Sequence, residues 1–421
     1  MITERGKTIL GKYMAGQNES TFSYLAIGIG AIPAFDAQIS TADTGFGPGW
    51  WKPEGDGWKY WYYRTDESYP DPPLMPLVDE GFVPEYNKVD ATGTGDIRYS
   101  NMKELDYEVL RIPITESGIE FVKQATSSLV DAALTDMILT GTIPSLGEYR
   151  FTEIGIYSAQ SNAIASSKPS EVLFSFASVT ESWVDNTSTA IPLIPSAATT
   201  PTTLGFCKSD HGYFTADDSL ASHRRPRAGQ YCLHLPNGEE VVHNASNFNF
   251  TNVRPDDQFR LAFFVDSKPT GDQPLVVDVT FEDTNSKKVT ATLKTNGKYF
   301  VDTNGYIPTT YKGNLYGVAF AKVSDFVGDS EFSWSNVSSV SIKSKRKVFL
   351  DSLGYVSTNY NNPNYGLVSY SVVQNRSGGD GSYPEPLYKA ENLETLLQYR
   401  VRINNSLNGE DYLPNVRSSG G

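Results

Sequence analysis

Short extended runs constrain this fold more than any other feature of the sequence. Between Leu204 and about Thr358, the segments Gln230–Leu235, Gln258–Val265, Leu275–Phe281, Lys288–Leu293, Gly317–Lys322, Val337–Ile342 and Lys347–Leu350 are rich in apolar, β-branched and aromatic residues. Turn residues separate them, at a spacing of roughly ten residues, and that pattern predicts a β-sandwich. Composition agrees. The chain has 25 Tyr and 21 Phe, which suit half-buried strands, and 35 Gly and 24 Pro for the turns. The expected class for all 421 residues is mainly β.

The first half, residues 1–186, reads as an α+β or β-sandwich unit. Thr3 can cap a helix whose apolar stripe is Ile9, Leu10, Tyr13 and Met14, with Gly16 as its stop. A buried strand follows at Tyr24–Gly30. Strands resume at Tyr107–Ile114, Ile119–Lys123, Leu134–Gly141, Tyr149–Tyr157 and Val172–Ala177. Between them, residues 36–100 form a long insertion with Trp50, Trp51, Trp58, Tyr60, Trp61, Tyr62 and Tyr63. Dense exposed aromatics mark interfaces, where Trp and Tyr dominate binding. Trp50, Trp51, Trp58, Trp61 and Tyr62 are therefore candidate subunit-contact residues, with a small satellite core as the alternative. Residues 187–203, with two Ile-Pro pairs and a Thr/Pro run, read as a linker. The β-sandwich then spans 204–358, and 359–421 adds C-terminal strands, including Tyr365–Val373 and Gln398–Ile403, and a Gly/Ser tail.

The net charge of −14 argues against a nucleic-acid partner, which would call for clustered Lys and Arg. Two short basic clusters, His223–Arg227 and Lys343–Lys347, read as solvated loop or edge charge. No run reaches the ~20 apolar residues of a membrane-spanning helix, and the N-terminus does not lead into a signal-peptide core, so synthesis in a cytosol without membrane insertion is expected. Cys207 and Cys232 are then expected as free buried thiols rather than a disulfide.

Three segments in order, Ala26–Gly30, Glu108–Pro113 and Thr152–Tyr157, resemble the N-terminal domain of phage tail-fibre and collar-type proteins. The long aromatic insertion departs from that pattern. The resemblance implies attachment to other virion proteins at tail, baseplate or neck, assembly in the bacterial host cytoplasm, and a homo-oligomer, a trimer first and hexameric placement around a tail ring second. Residues 205–355 resemble a carbohydrate-binding-module jelly roll through Ala228–Leu233, Phe259–Val265, Val337–Ile342 and Val348–Leu353, although the Val337–Ile342 run carries one extra residue. This implies contact with a host-surface glycan, for which Trp334, Tyr299, Tyr306, Tyr311 and Tyr316 are candidate stacking residues. Jelly rolls often hold a structural Ca²⁺, and Asp210 and Asp351 are candidate ligands, each with turn capping as its alternative.

No nucleophile elbow or phosphate loop is present in the sequence. The pairings of Cys207 and Cys232 with His211 and His234 are a poor basis for a Cys–His site. Asp217-Asp218, Asp256-Asp257 and Glu282-Asp283 supply carboxylates of the kind glycoside hydrolysis needs. The expectation is a non-enzymatic, cofactor-free structural component of a tailed-phage virion. The alternatives are a capsid-decoration or head-fibre protein, a polysaccharide-degrading enzyme, and a bacterial glycan-binding protein.

Overall fold

The computed structural model describes residues 4–17, 22–30, 50–54, 57–61, 104–105, 107–114, 118–123, 134–145, 147–158, 170–177, 179, 181–196, 201–211, 226–248, 250, 253–265, 276–295, 315–357, 366–372, 387–404 and 416–417. Among them are one α-helix, Glu4–Met14, and 24 strands, so the chain is mainly β.

A central antiparallel sheet has the order Gly366–Val372, Glu153–Ser158, Tyr24–Gly28, Glu108–Pro113. Both of its faces are covered. On one side Leu25, Ile27, Ile112, Ile154, Ile156 and Val368 share a core with Ile9 of the helix and with Met137, Leu139, Leu397 and Tyr399. The last four come from a second sheet, in which Thr395–Asn404 pairs with Leu134–Ile143 along its whole length. On the other side Ala26, Tyr157, Leu367 and Tyr370 merge with the core of a larger unit. A strand buried on both faces has no polar side to show. This is why Leu25-Ala26-Ile27-Gly28-Ile29 is a continuous apolar run.

The larger unit is one long hydrogen-bonded sheet folded over on itself. Its order is Trp183–Asp185, Glu240–Phe248, Val337–Ser344, Val276–Asp283, Lys288–Thr295, Leu315–Lys322, Gln258–Val265, Val348–Val356, Tyr231–Leu235, Gly205–Lys208. The fold line lies between Lys288–Thr295 and Leu315–Lys322, which share only the pairs Lys294↔Phe320 and Thr295↔Ala319. Phe281 and Phe259 are three strand steps apart in this order, roughly 14 Å in a flat sheet. Their ring centroids are 4.6 Å apart. The two halves therefore face each other as a β-sandwich, with Leu233, Leu261, Leu293, Ile342 and Leu350 inside.

The pairing departs from the linear division expected from sequence. Residues 359–421 are not a separate segment. Gly366–Val372 pairs with Glu153–Ser158, Leu387–Lys389 with Tyr149–Phe151, and Thr395–Asn404 with Leu134–Ile143. Conversely, Ser170–Phe174 and Trp183–Asp185, expected in the first unit, pair with sandwich strands Val348–Val356 and Glu240–Phe248. The sandwich is thus inserted between two neighbouring strands of the central sheet. The expected linker is also stitched down. Ile194 N–H donates to Phe206 O at 2.9 Å, Phe206 N–H donates to Pro192 O at 2.9 Å, and Ile191 is buried. The physical reason is common to all three: an open strand edge leaves backbone N–H and C=O groups without partners, and distant segments supply them.

The helix ends as predicted. Gly16 has φ +70, and Gln17 N–H reaches back to Lys12 O at 2.8 Å. Its expected stripe is only half used: Ile9 is fully buried, but Tyr13 and Met14 are 50% and 86% exposed. The helix instead approaches the Gly366–Val372 strand through Gly6, where an added Cβ would fall on the Val368 carbonyl, whereas Gly11 faces open space. Gly6→Ala should destabilise the protein by about 1–3 kcal/mol through overpacking. Gly11→Ala should stabilise it by about 0.5–1 kcal/mol through helix propensity. Urea unfolding of the two variants checks this opposition of sign.

Trp183 is buried against Phe174 and Phe176, and His243 joins them with its ring centroid 4.6 Å from Phe174 and 5.2 Å from Trp183. Burial lowers the pKa of His243, and Glu181 opposes this. In the unfolded chain the same histidine takes up its proton near pH 6.5. Its contribution is therefore present above that pH and is lost as pH falls toward the depressed folded value. His243→Phe should lose less thermal stability than wild type between about pH 7 and about pH 5, read from melting curves across that range.

Candidate functional site

The central sheet and the sandwich meet at a seam of buried polar groups, built on two carboxylates. Glu153 interrupts the apolar run Thr152–Tyr157 and is fully buried. One of its oxygens accepts from Gly30 N–H at 2.9 Å and Tyr107 N–H at 3.0 Å. The other accepts from the Tyr370 hydroxyl at 3.0 Å. It thus ties together the ends of three segments that are distant in sequence.

Asp351 lies at a β-bulge. The register between Gln258–Val265 and Val348–Val356 slips from Ala262↔Ser352 to Phe263↔Leu350, leaving Asp351 as the extra residue. Bulges re-aim side chains. Here the Asp351 carboxylate accepts the N–H groups of Arg227 at 2.9 Å and Ala228 at 3.3 Å. The neighbouring Ser352 hydroxyl shares a 2.7 Å hydrogen bond with Tyr107 and donates to Phe174 O at 3.2 Å. Burial pushes the Tyr107 phenol far above its ordinary range, so it stays protonated. Arg227, 1% exposed, sends Nη1 across the seam to Gly30 O at 2.6 Å and Ile29 O at 3.2 Å, and the Thr152 hydroxyl joins at Gly30 O at 2.8 Å.

The segment around Arg227 is also sewn to the first unit. Arg150 N–H donates to Arg227 O at 2.9 Å, Gly229 N–H to Glu148 O at 2.7 Å, and Arg150 Nη1 to Pro226 O at 2.8 Å. A second pair of guanidinium anchors flanks the seam. Arg111 makes a bidentate pair with Glu108 at 2.8 and 2.7 Å and lies 4.0 Å over the Tyr157 ring. Arg260 bonds Glu104 and donates to Leu105 O at 3.2 Å. Burial raises the Glu108 pKa, against the lowering effect of Arg111.

A cavity of about 440 Å³ opens along this seam. Tyr149, Tyr231, Gln230, Glu148, Ser175 and Glu391 contribute to its walls. Gln230 Nε2 donates to Glu391 at 3.3 Å, and Glu148 pairs with Arg150 at 3.1 Å. Lys389 donates to Gly147 O at 2.6 Å and Ser145 O at 3.2 Å, and burial lowers its pKa.

The residues singled out from sequence fall elsewhere or into other roles. Asp351 serves backbone N–H groups, and Asp210 is an exposed partner of Lys208 at 2.8 Å. Among the described residues no group of three or more His, Cys, Asp or Glu could hold a metal ion. Trp334 is half-buried. Its ring packs at 5.0–5.4 Å from Phe259, Phe281, Phe326 and Phe332, at the rim of the sandwich core. Tyr316 lies in the Leu315–Lys322 strand. Tyr62, Tyr299, Tyr306, Tyr311, Asp217 and Asp218 lie outside the described residues. Trp50, Trp51, Trp58 and Trp61 form a hairpin pairing Trp50↔Trp61, Trp51↔Tyr60 and Pro53↔Trp58.

Cys207 and Cys232 stand directly opposite each other as free buried thiols. Burial pushes the Cys232 thiol well up, the wrong direction for a nucleophile. His234 Nδ1 is held 2.6 Å from Thr203 O. Asp257 accepts from Arg254 N–H at 2.8 Å and bonds Tyr355, Asp283 caps a turn through Asn285 and Lys287, and Glu282 pairs with Lys288. Sequence reasoning missed Glu153 and Arg227. The available signal for Glu153 was a charge inside an apolar strand.

Comparison with known protein families finds no family model that matches the chain, and comparison with curated proteins finds no match either. Among the described residues no helix is long and apolar enough to cross a membrane.

Asp351→Ala should cost about 2–4 kcal/mol, because two buried N–H groups lose their acceptor. Asp351→Asn, which keeps one acceptor oxygen, should cost less. Chemical denaturation of both variants checks the ranking, and equal stability of Asp351→Ala and wild type would contradict the seam as described.

Proposed function

We propose that this chain is a structural component of a tailed bacteriophage virion, a fibre or adaptor at tail, baseplate or neck that works by binding and geometry rather than by turnover. One observation carries the reading. The three segments that resemble a fibre or collar-type attachment domain, Ala26–Gly30, Glu108–Pro113 and Thr152–Tyr157, come together as adjacent strands and their flanks. Glu153 of the third accepts hydrogen bonds from Gly30 of the first and from Tyr107, next to the second.

The Trp50–Glu54 and Gly57–Trp61 hairpin supports an assembly role. Its register pairs Trp50 with Trp61 and Trp51 with Tyr60, which concentrates aromatic residues in one short ribbon. Among the described residues it joins no other sheet, and a lone two-stranded ribbon is marginal in water. A trimer, with hexameric placement second, would cover such a ribbon with neighbouring chains. The sandwich then projects as the part that meets other virion proteins or a host-surface glycan.

Electron microscopy of purified particles with the chain labelled tests this reading. Density at tail, baseplate or neck with threefold or sixfold symmetry is expected. Density on the head would move the chain to a decoration role, and absence from particles would overturn the proposal. Trp58→Ala with Trp61→Ala should abolish incorporation while leaving the melting of the sandwich unchanged; normal incorporation of this variant would refute the hairpin as an assembly contact.

A further inference from the structure

We infer that the seam cavity is a binding site for an uncharged saccharide, held jointly by the central-sheet unit and the sandwich. This deepens the attachment reading and rests on it for biological purpose, but the binding itself stands on the cavity alone. The site lies away from the aromatic residues that sequence suggested.

Volume is the first argument. At about 440 Å³ the cavity falls within the roughly 300–1,000 Å³ of small-molecule sites. Wall chemistry is the second. Tyr149 and Tyr231 are both half-buried and come from opposite sides of the seam, so the cavity offers aromatic surface to the C–H faces of a sugar ring. Burial raises the Tyr149 phenol, which stays a neutral donor. Gln230 and Glu391 meet across the cavity at 3.3 Å and together present amide donors and carboxylate acceptors, the groups that vicinal hydroxyls require.

Charge balance sets the ligand class. Glu148 is neutralised by Arg150 at 3.1 Å, and Lys389 interacts electrostatically with both Glu148 and Glu391. Among the described residues the only charged groups in the wall are Glu148, paired with Arg150, and the exposed Glu391, so the surface disfavours an anionic ligand. A neutral polyhydroxylated ligand matches such a surface; an acidic sugar would meet Glu391 at the mouth.

The cavity exists only where the two units touch. Glu148 and Tyr149 belong to the first unit, Gln230 and Tyr231 to the start of the sandwich, and Glu391 to the returning C-terminal segment. The same backbone bonds that close the seam, Gly229 N–H to Glu148 O and Arg150 N–H to Arg227 O, shape its wall.

Saturation-transfer NMR on the full chain with millimolar maltose, cellobiose, lactose and N,N′-diacetylchitobiose tests the inference. At least one disaccharide should show transfer. The double variant Gln230→Ala/Glu391→Ala, which removes one exposed and one partly exposed side chain, should weaken that binding about tenfold or more, as loss of a charge-assisted hydrogen bond implies. Its melting temperature should match wild type, and the Glu331→Ala variant, whose partner Lys287 lies outside the cavity wall, should bind normally. No transfer from any of the four, unchanged affinity in the double variant, or tighter binding of sialyllactose would overturn the site. A chain that incorporates into particles but binds no sugar sinks this inference alone. A chain that binds sugar but is absent from particles sinks the virion reading alone.

Discussion

A carboxylate buried between two sheets must find all its hydrogen-bond partners inside the protein, because water cannot reach it. Glu153 meets that demand with Gly30, Tyr107 and Tyr370, and Asp351 with Arg227 and Ala228. Most of these partners sit more than a hundred residues away, at separations of 123 for Glu153 with Gly30 and 124 for Arg227 with Asp351. Glu153 is satisfied only when the returning Gly366–Val372 strand completes the central sheet, and Asp351 only when the Arg227–Ala228 segment lies against its bulge; Arg227 bonding Gly30 and Ile29, and Tyr107 bonding Ser352, join the two parts. The polar seam therefore makes their relative placement an all-or-nothing condition, while the apolar cores on either side supply the bulk of the favourable burial.

This arrangement explains why the chain takes an inserted topology without splitting into loosely tethered parts. Ser170–Phe174 and Gly366–Val372, the segments that enter and leave the sandwich region, are both ladder-bonded. The residues expected to be a linker carry Ile191 and Ile194 into contact with the core. The same bonding brings residues from three parts of the sequence into the wall of one cavity.

Local pattern revealed much of this. The sandwich strands, the start helix with its Gly16 stop, and the doubly buried Tyr24–Gly30 strand follow from short-range residue choice. Connectivity did not, because the partner of Glu153–Ser158 lies some 200 residues downstream, and period-2 patterning says nothing about which edges meet. The site was less legible still. Arg227 sits in a basic cluster that looks like solvated loop, yet it is 1% exposed and bonds the backbone across the seam. Asp351 reads from sequence as a candidate Ca²⁺ ligand or turn cap, but its bulge, and so its backbone partners, arise only from pairing. Trp334 has the right chemistry for stacking on a sugar, and its packing against Phe259, Phe281, Phe326 and Phe332 at the core rim arises only from tertiary contacts.

Native-state hydrogen exchange tests the central claim most directly. If the seam makes one cooperative body, the amides of Gly30, Tyr107, Arg227 and Ala228 should exchange with the same opening free energy as core amides such as Leu25 and Leu261, and respond to denaturant with the same slope. Fast, denaturant-insensitive exchange at those four amides, with both cores still protected, would contradict it.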